Sequence, residues 1–477
     1  MITTPKPVQT PSWANGILTP AQEFAPTPLD ILSGTVSAGL QGSLYRNGPA
    51  FLSRNGQSVG HWFDGDGGIL GVHFQAGQAI GTYRYVQTAG WQREEQAGRY
   101  LLAGYGMLPP GAWLTRFDKD VKNVANTSVL ALPDKLLALW EGGMPHALNL
   151  QTLETIGLDD LDGLKGRPFS AHPKRDPHTG EIYNFGLTIG AKTRLNLYRS
   201  DRTGKILHEQ AIPLKGVPVL HDFAIAGRYL VFCIPPVRIQ VLPLLARVKS
   251  FSDAMAWQPE LGTEILIIDR ETLQLVSRTT TDSWYQWHFG NGYEDAAGLI
   301  HLEIARYPDF QTNQRLKEVA HGQIQTSAVA TLWRLCLDPR SGRVVSMQQV
   351  LDRSCEFPVS RPQDVGQPFR YTYLSGHRPS SQLRTELFNT IARFDYQTGT
   401  LTEADLGDDR YPTEPIYAPD AQQPEQGWIL TVVYDSHHDR SELWIFDSDR
   451  LEAEPVCRLA LPHIIPIGFH GTWQSHS

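Results

Sequence analysis

The sequence predicts an all-β fold, a seven-bladed β-propeller, and three observations lead to that prediction. Glycine and proline occur 42 and 33 times in 477 residues, and they place turn signals along the whole chain. Long stretches with helical periodicity are scarce. A unit of two short strands joined by a tight turn recurs about seven times, which is typical of folds that repeat one small sheet around an axis.

The recurring unit is an apolar run that ends in a turn of Asp, Asn, Ser, Thr or Gly residues and is followed by a second strand. Its copies begin at Val72, Ala147, Leu195, Glu264, Leu332, Ile391 and Leu443. The copies are separated by roughly 50 to 75 residues, a length that suits four-stranded blades with insertions. Because such hairpins occur in any large β protein, an ordinary β architecture is the alternative.

Helix-like patterns are limited to short pieces, at residues 134–141 and 242–255. The length alone would suggest several domains. Since a propeller is one unit made by repetition, we expect residues 1–477 to form a single domain. Residues 1–30, which begin with a polar, Pro-rich stretch, are expected to form an extended N-terminal arm.

The composition excludes several classes of function. The net charge is −8 and no dense block of Lys and Arg occurs, so nucleic acid is not an expected partner. No apolar stretch reaches the ~18 residues that a membrane span requires, and the N-terminus lacks the apolar core of a signal peptide. Four scattered cysteines indicate reduced thiols and a cytoplasmic protein: Cys233, Cys336, Cys355 and Cys457.

Four of the sixteen histidines have a context that could serve a metal: His172, His221, His288 and His470. The first three lie in a loop or at a strand start, and a predicted blade strand follows each of them. The inner strands of a propeller all run along one axis, so histidines from four blades can converge although they are far apart in sequence. Taken singly, such a histidine is more often a hydrogen-bonded structural residue.

Several longer motifs accompany these histidines. They are LQGSLYRNGPA (40–50), HWFDGDGG (61–68), VKNVANTSV (121–129), LALWEGGMPH (137–146), IGLDDL (156–161), SAHP (170–173), HDFAI (221–225), CEFPV (355–359), EPIYAP (414–419) and HGTW (470–473). With them the sequence resembles the carotenoid cleavage oxygenase family over essentially the whole chain, and most of all its cyanobacterial members that cleave apocarotenoids.

The resemblance implies Fe²⁺ bound by His172, His221, His288 and His470, under a cap of loops and short helices. It also implies that three glutamates support the ligands: Glu141, Glu356 and Glu414. Four neutral imidazoles leave the full 2+ charge on the metal, and their second ring N–H groups need acceptors such as carboxylates. On the residues alone, Glu141 could equally be an exposed turn residue.

By the same resemblance the chain is an iron-dependent dioxygenase that cleaves one double bond of an apocarotenoid, with dioxygen as the second substrate. The 15,15′ bond of a β-apocarotenal, giving retinal-type aldehydes, is the implied choice. Four ligands leave up to two positions on six-coordinate iron for dioxygen or water. The methyl group of Thr127 would point at one of these positions, although a strand threonine in a ladder contact is the alternative.

A polyene offers almost no hydrogen-bonding groups, so an apolar and aromatic tunnel is expected. Trp140, Trp287 and Phe357 each stand next to a proposed metal-site residue in the sequence. Phe63 is placed near the axis by the resemblance. These four aromatic residues are the expected substrate contacts.

Segment 233–251 is apolar with Arg238, Arg247 and Lys249 interspersed. It is too short and too broken by proline to span a bilayer, but it could rest on a membrane with its cations toward anionic lipid. Contact with a membrane would help the uptake of a substrate that is nearly insoluble in water. The alternative is an ordinary core helix or loop, and we expect the protein to be a monomer.

Two other functions are rivals. Stilbene-cleaving relatives carry, by family pattern, a Lys immediately before the glutamate of the WEGG-like run, where this chain has Trp140. A tryptophan can stack on a polyene but cannot pair with a phenolate, which favours the apocarotenoid. A propeller can also be a non-catalytic platform for protein interaction, in which case the histidines would be structural and no stoichiometric iron would be bound.

Overall fold

The computed structural model describes residues 10–111, 113, 120–190, 192–423 and 425–476. The fold is an all-β propeller, as predicted. Among the described residues, seven antiparallel sheets contain four or more strands each, and we number them I to VII along the chain. Two small ribbons accompany them, Val237–Ile239 with Met255–Trp257 and Ser53–Arg54 with Gln57–Ser58.

Within each sheet the strands are given from the outer edge to the inner edge. Sheet I contains Phe24–Pro28, Gln78–Tyr85, Asp66–Gln75, Gly42–Phe51 and Gly471–Ser475; sheet II contains Thr155–Leu158, His146–Leu148, Leu136–Leu139 and Ser128–Ala131; sheet III contains Ile206–Pro213, Arg194–Ser200, Ile182–Thr188 and Lys174–Arg175; sheet IV contains Leu275–Thr281, Thr263–Asp269, Tyr229–Ile234 and Ala224–Ala226. Sheet V contains Val344–Leu351, Thr331–Leu337, Ile300–Tyr307 and Tyr285–Glu294; sheet VI contains Thr400–Glu403, Thr390–Asp395, Tyr371–Gly376 and Cys355–Val359; sheet VII contains Ile31–Gly34, Cys457–Ala460, Arg440–Asp447, Gly427–Asp435 and Arg410–Pro412, with Ile416–Pro419 also paired to Gly427–Asp435.

Each of the seven predicted hairpins is present, and each lies in a different sheet. The hairpin that starts at Leu195, for example, pairs Arg194–Ser200 with Ile206–Pro213 in sheet III. The hairpins lie toward the outer edges, where turns of Asp, Thr and Gly set the register of the strands. Sequence patterns therefore located the outer half of the sheets.

Apolar clusters fill the spaces between neighbouring sheets. One cluster joins Leu197 of sheet III to Phe232 and Leu266 of sheet IV, and comparable clusters join the other neighbouring pairs, including sheet VII with sheet I. Burial of both faces of each sheet is the main stabilising contribution to such a ring. The chain ends are built into it, because Ile31–Gly34 belongs to sheet VII and Gly471–Ser475 to sheet I.

The described residues contain four short helices: Asn15–Leu18, Ala89–Ala97, Val241–Leu245 and Gln311–Val319. Single 3-10 turns occur at Trp62–Asp64, Pro259–Leu261 and Pro362–Asp364. No helix among the described residues is long and apolar enough to cross a bilayer. Of the expected N-terminal arm, residues 1–9 lie outside the described residues. Within residues 10–30, Trp13 is fully buried and its Nε1 donates to Thr385 O at 2.8 Å.

The two helix-like sequence patterns were largely wrong. Residues 134–141 contain the strand Leu136–Leu139, whose four residues are all buried. A strand covered on both faces gives a continuous apolar run, which periodicity cannot distinguish from a buried helix. In 242–255 the helix ends after Leu245, and Arg247 has a left-handed backbone with φ 53°, a conformation that stops a helix.

Candidate metal centre

The inner edge of every sheet contributes one residue to a common site on the axis. The contributing residues lie in or beside the innermost strands, and from sheet I to sheet VII they are His470, Thr127, His172, His221, His288, Glu356 and Glu414. Such convergence follows from the radial arrangement, since strands far apart in sequence run side by side along the axis.

The four histidines lie close enough together to share one metal ion. Their donor nitrogens all lie within 4.8 Å of one another, and all four residues are buried. Consecutive Nε2 atoms are separated by 2.9 Å (His172 to His221), 3.3 Å (His221 to His288) and 3.1 Å (His288 to His470). Two ligands held about 2.1 Å from one ion at a right angle lie about 3.0 Å apart, so the spacing fits a single ion. The cluster therefore has the geometry to hold one metal ion.

Burial keeps two of the four histidines in the neutral form that binds metal. Removal from water, reinforced by the neighbouring imidazoles, lowers the pKa of His172 and of His288 well below the ordinary range. Burial also acts to lower the pKa of His221, but the adjacent Glu141 carboxylate outweighs it and the pKa is raised. Neutral imidazoles are the metal-binding species.

Three glutamates hold the second ring nitrogens of three of the histidines. His288 Nδ1 donates to Glu356 Oε2 at 2.5 Å, and His470 Nδ1 donates to Glu414 Oε1 at 2.9 Å. Glu141 Oε1 is in direct contact with His221 Nδ1. Acceptors at this position fix the tautomer in which Nε2 is free for the metal.

The carboxylates of Glu356 and Glu414 have different surroundings. Burial raises the pKa of Glu356 to about 8, while its Oε2 also accepts the N–H of Phe357 at 2.7 Å. For Glu414 burial acts in the same direction, but the His470 imidazole outweighs it and the pKa is lowered. The second oxygen of Glu414 accepts the N–H of Gly471 at 2.9 Å.

His172 is supported differently from the other three ligands. Its nearest carboxylate oxygen, Asp222 Oδ1, lies 3.9 Å from His172 Nδ1, which is too far for a hydrogen bond. Asp222 is instead paired with Lys174 Nζ at 2.8 Å and accepts the N–H of Phe289 at 2.9 Å. Sequence reasoning missed Asp222, although an acidic residue directly after the ligand His221 could have drawn attention to it.

A small apolar cavity of about 140 Å³ lies against the metal site. The expected substrate contacts Phe63, Trp140, Trp287 and Phe357 all line it, as does Thr127. His221, His288 and His470 reach the cavity from the metal site. An apolar wall around three ligands is what an olefin-binding site requires.

The aromatic rings of the cavity pack on the ligands as well as on each other. The Trp287 ring meets the His221 ring edge-on at 4.9 Å, and Trp287 Nε1 donates to Thr312 Oγ1 at 2.9 Å. The Phe357 ring stacks on His288 with 5.0 Å between centroids. The Thr127 hydroxyl donates to Asn126 Oδ1 at 3.1 Å.

Some lining residues were not predicted from the sequence. Phe469 directly precedes His470, so the adjacency that pointed to Trp140 and Trp287 could also have identified it. Tyr105 and Phe388 come from loops that carry no comparable signal. Their positions depend on how the loops fold over the axis.

Comparison with known proteins agrees with this geometry. The sequence model of the family described as retinal pigment epithelial membrane protein matches residues 18–475. The chain is 33% identical to the apocarotenoid-15,15′-oxygenase of Synechocystis over 99% of both chains. It is 29% identical to resveratrol cleavage oxygenase 1 of Aspergillus fumigatus, covering 86% of this chain and 85% of that protein.

A solved structure of cobalt-substituted apocarotenoid oxygenase from Synechocystis is similar to this one, with a TM-score of 0.89 at 32% identity over 98% of each chain. The matches in sequence and in structure both extend over nearly the whole length. The chain therefore belongs to the retinal pigment epithelial membrane protein family, the family of the carotenoid cleavage oxygenases.

Proposed function

We propose that the protein is a non-haem iron(II)-dependent dioxygenase that cleaves the 15,15′ double bond of β-apocarotenals to give retinal-type aldehydes. The single observation that carries the proposal is the cluster of four buried histidines, whose donor nitrogens lie within 4.8 Å of one another beside an apolar cavity. Membership of an oxygenase family supports the reaction class, and the 33% identity to an apocarotenoid-15,15′-oxygenase supports the substrate.

Fe²⁺ would be held by His172, His221, His288 and His470. When bound, it supplies the activation of dioxygen that amino-acid side chains cannot supply. An all-imidazole site adds no negative charge, and Glu141, Glu356 and Glu414 act through the ring N–H groups rather than on the metal. Cobalt substitution in the Synechocystis relative supports a divalent transition metal at this site.

The cavity residues would position the olefin and exclude water. A cavity of about 140 Å³ is similar to one that encloses a single benzene ring (about 150 Å³), so it holds only the part of the polyene around the bond to be cut. Phe63, Trp140, Trp287 and Phe357 would contact that part. Because the Thr127 hydroxyl is bonded to Asn126, its methyl group is the end left to restrict the space next to the metal.

Stilbene cleavage is the second candidate, since a resveratrol cleavage oxygenase is among the relatives. A phenolate requires a cationic or strong hydrogen-bonding partner. Among the described residues that line the cavity, Arg315 is the only Lys or Arg. Its guanidinium already donates to the backbone carbonyls of Thr326, Leu383 and Glu386, so it is not free to bind a phenolate.

A feeding experiment separates these functions. Protein reconstituted with ferrous iron is given a β-apocarotenal or resveratrol under air, and the products are identified by mass, with His221→Ala as the matched control. We expect retinal-type aldehydes from the first substrate, none from the second and none from the variant. Cleavage of resveratrol but not of the β-apocarotenal would show that the substrate is a stilbene. A wild-type protein that binds no iron would favour a non-catalytic interaction platform.

We further propose that each of the seven sheets is one blade, so that residues 1–477 form one seven-bladed domain with residues 1–30 as its N-terminal arm. The closed ring of apolar clusters between neighbouring sheets supports this count. One more cluster joins Trp13, Trp62, Val319 and Phe469 next to the cavity, which supports a cap of loops and short helices over the metal site.

We also propose peripheral membrane contact, made by the exposed residues around the helix Val241–Leu245 rather than by the whole segment 233–251. Ile239 is buried and cannot insert, but Leu242, Leu245 and Val248 are 81%, 65% and 59% exposed around the helix Val241–Leu245. Three exposed apolar side chains beside cations suit the interface of an anionic membrane. Co-sedimentation with anionic vesicles should fall in Leu242→Ser/Leu245→Ser, and a protein that never sediments with vesicles would remove the proposal.

The remaining proposals concern the cellular compartment and the oligomeric state. All four cysteines are buried and unpaired, which is consistent with a cytoplasmic protein in a reducing compartment. We expect a monomer, which light scattering of the purified protein would test.

A further inference from the structure

A second and larger space, which we name the axial channel, lies on the other side of the metal site. Its volume is about 1040 Å³. The inner edge strands of all seven sheets line it, from Ser128 in sheet II to Thr472 in sheet I. Of the proposed substrate contacts, Phe63, Trp140 and Trp287 line only the cavity and not the channel.

The metal site separates the axial channel from the substrate cavity. His288, Phe357 and His470 line both spaces, whereas His221 lines only the cavity and His172 only the channel. The Phe357 ring lies against both shared ligands, with centroids 5.0 Å from His288 and 5.3 Å from His470. The ligands can therefore be reached from two sides that differ in chemistry.

We propose that the metal ion reaches the four histidines through the axial channel, while the organic substrate uses the cavity. A hydrated divalent cation loses most of its solvation in an apolar aromatic space, and an ion without compensating partners is very costly there. The channel is far larger than the cavity and offers the hydroxyls of serine and threonine residues, among them Ser128, Thr203, Ser360 and Thr472. A hydrated divalent cation in transit is stabilised by its water and by such oxygen atoms.

The basic residues of the channel do not reverse this preference. Lys174 is neutralised by Asp222 at 2.8 Å, and Arg175 donates to the carbonyl of Ala131 at 2.8 Å. Arg202 is exposed to solvent. Salt and water that enter a space as large as the channel screen the repulsion between the two arginines and an arriving cation over about 8–10 Å. The small apolar cavity provides no such screening.

His172 is the ligand best placed to receive the ion first. It lines the channel and not the cavity, and it is the one ligand whose Nδ1 has no carboxylate of the described residues within hydrogen-bonding distance. The other three imidazoles are held by Glu141, Glu356 and Glu414. A less restrained ring can turn toward an arriving ion and then complete the site with the three fixed ligands.

The inference concerns metal uptake and holds whichever olefin the enzyme cleaves, so its test does not depend on activity. Metal-free full-length protein is mixed with Co²⁺, and uptake is followed by the absorption of the bound ion. Two variants place an indole in the channel, Thr472→Trp and Ser360→Trp, and two place one in the cavity, Ala328→Trp and Leu387→Trp. The melting temperature of each variant establishes that it is folded.

Both channel variants should take up Co²⁺ slower by on the order of tenfold or more, with an unchanged final dissociation constant, because the path is narrowed and the ligands are not altered. Both cavity variants should take up Co²⁺ at the wild-type rate. The proposal is overturned if folded channel variants load at the wild-type rate, or if the cavity variants are slowed as much as the channel variants.

Discussion

Replacement of Glu414 by glutamine should weaken metal binding more than the same replacement at Glu356, although both carboxylates support a ligand. Glu414 uses its two oxygens for two different donors, His470 Nδ1 and the N–H of Gly471, each at 2.9 Å. Glu356 uses one oxygen, Oε2, for both His288 Nδ1 and the N–H of Phe357. Its other oxygen is buried and has no imidazole or backbone N–H partner, and the Tyr307 hydroxyl, which can donate or accept, also interacts with this carboxyl.

The magnitude follows from these hydrogen bonds. In Glu414→Gln the amide nitrogen must face either His470 Nδ1–H or Gly471 N–H, and a buried donor left without an acceptor costs about 1–3 kcal/mol. We therefore expect the metal affinity to fall about 10- to 100-fold, the range typical of changes behind a metal ligand. In Glu356→Gln the amide oxygen can still accept both N–H groups, so the loss should stay near tenfold or below.

The assay is competition for Co²⁺ between each variant and a chelator of known affinity, at one pH and with the melting temperature as a control for folding. The reasoning is refuted if the two variants lose affinity equally, or if Glu356→Gln loses more than Glu414→Gln. Equal losses would mean that the charge of the carboxylate matters and the number of oxygens in use does not.

Three further outcomes are expected. His221→Ala should lose stoichiometric metal and activity while its circular dichroism stays native, because His221 belongs to none of the apolar clusters that join the sheets; full metal content in elemental analysis would contradict the assignment. Lys122→Met should lower the free energy of unfolding by about 3–5 kcal/mol in urea titrations, since the ammonium now lies 2.6 Å from buried Glu94, which loses its cation, and 2.5 Å from buried Asp66, which keeps only Arg54 at 3.0 Å. A loss below about 1 kcal/mol would show that the Glu94 carboxylate is compensated elsewhere. Burial lowers the pKa of His146 to about 4. As the pH falls, His146 is therefore protonated in the unfolded chain before it is protonated in the folded protein. The stability that is present above about pH 6.5 is lost as the pH falls toward 4. At pH 5 the loss in unfolding free energy is about 2 kcal/mol. His146→Gln should therefore reduce the difference in unfolding free energy between pH 7 and pH 5 by about that amount. An unchanged pH dependence would contradict the lowered pKa of His146.

The outer hairpins could be predicted from the sequence, whereas the inner edges of the sheets could not. Turn chemistry and alternating residues mark the hairpins clearly. Several inner strands are too short for any periodicity, as in Lys174–Arg175 and Ala224–Ala226. Their positions follow from closure of the ring, which is a property of the whole chain.

For the site, the residues identified the candidates, but the resemblance to a family was needed to select them. Nothing in the sequence alone distinguishes His172 from a structural histidine, because its partners come from other sheets. Asp222 was missed because it acts through Lys174 and backbone N–H groups rather than through a ligand. Such roles depend on distances that sequence spacing does not encode.

The backbone of Phe357 is a second feature that sequence reasoning could not supply. The sequence CEFPV indicates a simple strand, and the proline after Phe357 favours an extended backbone before it. Phe357 instead has a φ of 54°, a conformation that costs a bulky residue about 1–3 kcal/mol. The Glu356 carboxylate accepts the Phe357 N–H and the ring stacks on His288, so contacts at the metal site offset the strain.

The most direct test of the central claim is a crystal structure of protein loaded anaerobically with ferrous iron, with anomalous scattering measured at the iron edge. One peak is predicted, at about 2.1–2.2 Å from the Nε2 atoms of His172, His221, His288 and His470. A peak bound by other residues, or full iron loading with no peak among these four rings, would contradict the account.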